Sequence, residues 1–177
     1  MTVIIACLLS LGFVVSPASA AETSPANQAT SDVAVQVPMQ LDCVNMTDKA
    51  REYADAHQLC PKAGKAGGVS PNIAVQDNCG WSWVYVQSTG VRGYASINYG
   101  FDSSLGPVAW RSLAVGYAGN EYYGGWNDED WTWNHYYQTG QVRYVGLGGA
   151  SATMGGSVTL AWGGVCSVGP VNGSGYV

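Results

Sequence analysis

Basic residues are scarce in this chain. Lys and Arg together number seven against twelve Asp and Glu, giving a formal net charge of −5. A polyanion needs a positive surface to meet it, so this balance argues against nucleic acid and anionic membranes as partners. Charged residues of both signs make up only 11% of the chain. The polar surface must therefore be built from Ser, Thr, Asn, Gln and Gly, the balance of a secreted β protein. Histidine occurs only at His57 and His135. Neither is accompanied by G-x-S-x-G or a comparable nucleophile motif, so a hydrolase triad has little support. CxxC and HxxxH spacings are lacking, which argues against zinc; no metal or cofactor is expected. No apolar run is long enough to span a membrane. There is no internal repeat, and only one stretch has a helical pattern.

The run from Val3 to Val15 is apolar and is followed by Pro17-Ala18-Ser19-Ala20. A short apolar core ahead of an A-x-A site reads as a secretory signal cleaved after Ala20, which predicts an extracellular protein. A lipoprotein cleaved at Cys7 is the rival, disfavoured because the apolar run continues past that cysteine. The remainder is long enough for one domain with a real core. It holds Cys43, Cys60, Cys79 and Cys166, and an even count behind a signal peptide implies disulfides. Of the three possible pairings, Cys43–Cys60 and Cys79–Cys166 are favoured because each joins the ends of a recognisable unit. With all four so used, no thiol nucleophile remains.

Residues 21–36 are Ala, Ser, Thr, Gln and Pro with few large apolar side chains, and are expected to be a disordered leader. Residues 37–70 form a second unit, a disulfide-stapled helix followed by a linker. The helix is expected over Asp48–Leu59, capped by Thr47, with Asp48 in its first turn and Ala50, Tyr53, Ala54 and Leu59 along one side. Pro61 should end it, and the Gly- and Lys-rich stretch from Lys62 to Pro71 reads as the linker. The β domain is assigned to residues 71–177.

The strongest strand signal is Cys79-Gly80-Trp81-Ser82-Trp83-Val84-Tyr85-Val86, aromatic at odd positions and aliphatic or small at even ones. Cys79 has the parity of Trp81, Trp83 and Tyr85. A regular strand would therefore bury these aromatics with the cysteine, unless one face is left open to bind something. Alternation continues through Val91–Phe101 and through Val108–Ala118, where Leu113, Val115 and Tyr117 share one face and Trp110 takes the other. Gly155-Gly156 reads as a tight hairpin, and Gly169-Pro170 as the start of a glycine-rich tail. Six or seven strands at this spacing predict an all-β fold: an antiparallel β-sandwich or small barrel, with the short stapled helix at its N-terminus.

The segment Glu121–Tyr137 is the most unusual: seven of its seventeen residues are Trp or Tyr. It is expected to be a loop plus one strand around Thr132–Tyr137. Within it Asn127-Asp128-Glu129-Asp130 reads as an acidic turn facing water, flanked by partly exposed Trp126 and Trp131. Sugar rings stack their C–H faces on Trp and Tyr while Asn and Asp bond the hydroxyls. The candidate ligand-binding set is therefore Trp126, Asn127, Asp128, Trp131, Trp133, His135 and Tyr137. The competing readings are core packing of the aromatics, protein contact through them, and a calcium site in the acidic turn, against which the spacing argues. Carboxylate pairs for glycoside hydrolysis can be drawn from Glu121, Asp128, Glu129 and Asp130, but adjacency in sequence does not supply the required separation.

Cys79-Gly80-Trp81-Ser82-Trp83-Val84, Ile97-Asn98-Tyr99-Gly100-Phe101, Gly106-Pro107-Val108-Ala109-Trp110 and Gly164-Val165-Cys166 resemble small secreted proteins of actinobacteria, over about residues 78–176. The resemblance implies an exported bacterial β protein and carries no catalytic residue over. The functional expectation is a secreted, non-catalytic binding protein directed at a glycan or cell-wall polymer through the aromatic segment. A protein-directed factor, such as a hydrolase inhibitor or toxin, is the alternative. A small hydrolase using His135 with a carboxylate from Asp128 to Asp130 has less support.

Overall fold

The computed structural model describes residues 35–60 and 79–177. The expected signal peptide, the leader up to residue 34, the Pro61 stop and the linker lie outside the described residues. Two antiparallel sheets share one core. The first, in the order β1-β3-β4-β7, contains β1 (Val35–Pro38), β3 (Gly80–Ser88), β4 (Tyr94–Ser103) and β7 (Tyr136–Tyr144). The second, in the order β2-β9-β8-β5-β6, contains β2 (Gln40–Leu41), β9 (Val165–Tyr176), β8 (Gly149–Leu160), β5 (Val108–Ala118) and β6 (Tyr123–Asn134). The fold is thus the expected sandwich, not a closed barrel, with more strands than the sequence pattern suggested. Period-two alternation sends Val84 and Val86 of β3, Ile97, Tyr99 and Phe101 of β4, Leu113 and Val115 of β5, and Val158 and Leu160 of β8 into the core. On β5 the expected faces hold: Trp110 lies opposite Leu113 and Val115.

Helix α1 (Asp48–Ala56) is capped as expected, with the Thr47 hydroxyl accepting from the Ala50 N–H at 3.3 Å. It buries Ala50 and Ala54, and Tyr53 stacks on Trp162 at 4.7 Å between ring centroids. Cys43–Cys60 and Cys79–Cys166 are the two disulfides among the described residues, the pairing favoured because each bond joins the ends of one unit. The second joins the start of β3 to β9 and so links the two sheets.

Four local expectations are corrected. Residues 35 and 36, assigned to the leader, already belong to β1. Chain segment 35–41 then crosses between sheets at the buried Met39, so the N-terminal unit supplies a strand to each sheet. Gly155-Gly156 is not a hairpin but a bulge inside the continuous strand β8, between Met154 and Gly156. A Cβ on Gly156 would lie 2.1 Å from the Ser112 carbonyl, so only glycine lets the neighbouring strand through. Gly169-Pro170 does not start a tail. It lies within β9, between β2 and β8, at the same bulge, where the missing proline N–H breaks no ladder bond. The acidic turn is the middle of β6, paired residue by residue with β5.

Candidate functional site

The side chains of Trp81, Trp83 and Tyr85 point away from the core, because Ser82, Val84 and Val86 hold the inward positions. Their expected shared burial with Cys79 fails at one residue. Gly80 has φ 110°, so the strand does not run regularly back to the cysteine. A Cβ there would sit 1.9 Å from the Asp102 carbonyl, leaving glycine as the residue that fits. Cys79 turns inward to its disulfide and is fully buried, while Trp81 is 50% exposed.

The ladder sets these aromatics in rows across the first sheet. Trp81 aligns with Asp102 and Tyr136; Gln36 with Trp83, Gly100 and Gln138; Tyr85 with Asn98 and Gly140. The empty position at Gly100 decides the shape. A Cβ there would lie 2.8 Å from Cζ2 of Trp83, so the indole lies down over the glycine. It reaches Tyr136, with centroids 5.5 Å apart and planes tilted by 33°, and is only 7% exposed. Gln138 Nε2 donates to the Tyr85 hydroxyl at 2.9 Å, and the Tyr136 hydroxyl donates to Gln138 Oε1. The result is an open groove of about 290 Å³ with an aromatic floor, the amides of Gln36 and Gln138, and the carboxylate of Asp102. Asp102 is the single carboxylate among its lining residues. The paired carboxylates of glycoside hydrolysis are therefore not assembled among these lining residues.

No protein-family model, curated protein or solved structure matches this chain. The site's chemistry has to be read from its own geometry.

The seven residues singled out in the aromatic segment are separated by strand parity. Trp126, Asp128 and Tyr137 face inward, between the sheets. Asp128 Oδ2 accepts from the hydroxyls of Tyr137 at 2.7 Å and Tyr99 at 3.0 Å, and Oδ1 accepts from Arg111 Nε at 3.0 Å and pairs with Nη2 at 2.9 Å. Trp126 Nε1 donates to the Tyr99 hydroxyl at 3.1 Å, and the Arg111 guanidinium lies 4.1 Å from the Tyr137 ring centroid. Burial alone would raise the Asp128 carboxyl, but hydrogen bonds from Arg111, Tyr137 and Tyr99 outweigh it and hold the group below its ordinary value. Burial, with Asp128 adjacent, pushes both Tyr99 and Tyr137 up. These tyrosines stay protonated and donate to a charged carboxylate. Both Asp128 oxygens are engaged by the protein, so this carboxylate braces the two sheets.

Asn127, Trp131 and Trp133 lie on the outside of the second sheet. Trp131 and Trp133 are 60% and 61% exposed. Trp110 meets Trp131 edge-on at 5.2 Å, and Trp133 lies parallel to Trp131 within 9°. His135 sits exposed where the chain passes from β6 to β7, with Nδ1 3.4 Å from the Ser103 carbonyl. The groove on the first sheet was the harder feature to find from sequence. Its signal was the aromatic parity of β3, together with a glycine, Gly100, placed across from Trp83.

Proposed function

We propose that this is a secreted, non-catalytic binding protein that holds a glycan or cell-wall polymer in the aromatic groove of the first sheet. The observation that carries the reading is the outward cluster of Trp81, Trp83 and Tyr136, with Trp83 laid over Gly100 and the cluster edged with Gln138, Gln36 and Asp102. A pyranose ring offers an apolar C–H face to such a floor and hydroxyls to the amide and carboxylate tips. The groove carboxylate and the net charge of −5 favour a neutral glycan over one bearing uronic acids. Export is supported by the sequence of residues 1–20 and by the two disulfides.

Retention on chitin, cellulose and peptidoglycan tests the reading. Trp81→Ala should abolish retention while leaving the thermal midpoint nearly unchanged, because this ring is half exposed. His135→Ala should be retained like the parent. Retention that survives Trp81→Ala moves the site elsewhere. Capture of one specific protein from culture supernatant, with no polymer retained, replaces the reading with the protein-directed alternative.

A further inference from the structure

The backbone of Trp133 adopts φ 57°. This is the left-handed region, which glycine enters freely, asparagine tolerates, and bulky residues avoid. The conformation itself has a reason, since Trp133 stands two residues before His135, where the chain leaves one sheet for the other. The indole does not follow from it. The side chain is 61% exposed, so core burial does not offset the strain. Its ring lies parallel to that of Trp131, with centroids 6.1 Å apart, and Trp131 is itself 60% exposed and met edge-on by Trp110. A glycine would make the same crossing more comfortably and remove an exposed aromatic. The ring is best explained by what it presents to the outside.

That patch adjoins the groove. Trp133 and Tyr136 are three residues apart, so their Cα atoms lie no more than about 11 Å from each other. Tyr136 lines the groove, and the exposed His135 lies between. The acidic group on the same face as the patch, Glu129, bonded to Ser112 at 3.0 Å, carries the same sign as Asp102 in the groove. Both surfaces therefore disfavour polyanions and suit one ligand chemistry.

We infer that Trp110, Trp131 and Trp133 extend the groove around the corner of the sandwich, and that the occupant of both is a single chain of neutral sugar units long enough to pass from Trp81 and Trp83 to Trp133. This rests on the glycan reading above and names its ligand as a polymer rather than a mono- or disaccharide. The groove takes the first units, and the tryptophan patch takes those that follow.

Calorimetric titration with tri- and hexasaccharides of cellulose and of chitin decides the matter. For the parent protein the hexasaccharide should bind about tenfold tighter than the trisaccharide, roughly the worth of one added stacking contact. Trp133→Gly should bring the hexasaccharide down to the trisaccharide level, with a thermal midpoint equal to or above the parent's. Trp81→Ala should lose both ligands. The inference is overturned if Trp133→Gly keeps the full gain with length, or if its midpoint falls as far as that of Trp83→Ala, which would make the indole structural. If the parent binds neither length of either sugar, the glycan reading falls and this extension falls with it.

Discussion

Two strands carry five of the seven tryptophans, and they are held in opposite ways. β3 lies inside the first sheet, bonded to β1 and β4, and is tied across the sandwich by the Cys79–Cys166 disulfide. β6 is the outer strand of the second sheet and has no cysteine. It is held by Asp128, which gathers Arg111, Tyr99 and Tyr137 from three other strands. On β3 the aromatics stay together, all outward, because Gly80 releases the strand from the parity of Cys79. On β6 they part, with Trp126 inward and Trp131 and Trp133 outward. Aromatic density in sequence thus says little about where a surface forms. What decides is the inward partner each strand carries.

The largest perturbation should come from removing the cross-sandwich tie. The Cys79–Cys166 bond closes a separation of 87 residues and Cys43–Cys60 one of 17. On the loop-entropy model these contribute about 4.6 and about 3.1 kcal/mol. Equilibrium denaturation of Cys79→Ser/Cys166→Ser against Cys43→Ser/Cys60→Ser should show the first pair as the more costly. The reverse order would mean that β3 is held by its ladders and not by the bond.

Next comes the β6 brace. Asp128→Ala leaves the nearly buried Arg111 without its main partner and two tyrosine hydroxyls without an acceptor. The cost should be about 3 kcal/mol, at the low end for a broken buried pair, because Asp130 remains 3.6 Å from the guanidinium. A loss under about 1 kcal/mol in urea unfolding, the range of exposed ion pairs, would show that the second sheet does not depend on this network.

The same carboxylate gives β6 a pH dependence that the disulfide cannot give β3. Its folded value lies below the ordinary 3.8. Its stabilisation is therefore fully present above that ordinary value and is lost as pH falls through the lower folded one. The stability gap between the parent and Asp128→Asn should narrow as pH drops from about 5 to about 2. A gap constant across that range would mean that the carboxylate's charge contributes nothing.

The smallest effects belong to the exposed rings. Trp81→Ala should change stability by no more than about 0.5 kcal/mol, as for ordinary surface sites. Trp83→Ala on the same strand should cost about 3 kcal/mol, since its indole is packed on Gly100. Equal losses for the two would show the outer face of β3 to be packing rather than a groove.

Much of the architecture was legible because it is local. The alternation of Leu113, Val115 and Tyr117 against Trp110 placed both faces of β5 correctly. Thr47 announced the start of its helix, and the bracketing of units suggested the disulfides. The missed features depend on distant partners. Asp128 looks solvated beside Asn127, Glu129 and Asp130, until Arg111 is brought alongside by the β5–β6 ladder. Gly155-Gly156 and Gly169-Pro170 look like breaks until they are seen to face each other as a bulge. The groove needed both the strand parity of β3 and the register that sets Gly100 against Trp83, and only the first is written in one stretch of chain.

The crossing at Met39 bears on how far the protein can be trimmed. Val35–Pro38 pairs with Trp81–Val84 in one sheet, and Gln40–Leu41 pairs with Cys166 and Ser167 in the other. The fully buried Ser82 hydroxyl donates to the Val37 carbonyl, and the Met39 N–H donates to the Gly80 carbonyl at 2.8 Å. A protease cutting just after Leu41 would sever a border strand of each sheet from the rest of the chain, and loss of that arm would leave Ser82 without its acceptor. The smallest unit that keeps its groove therefore begins no later than Val35, and a recombinant fragment started at residue 71 would lack one of the groove's walls, Gln36.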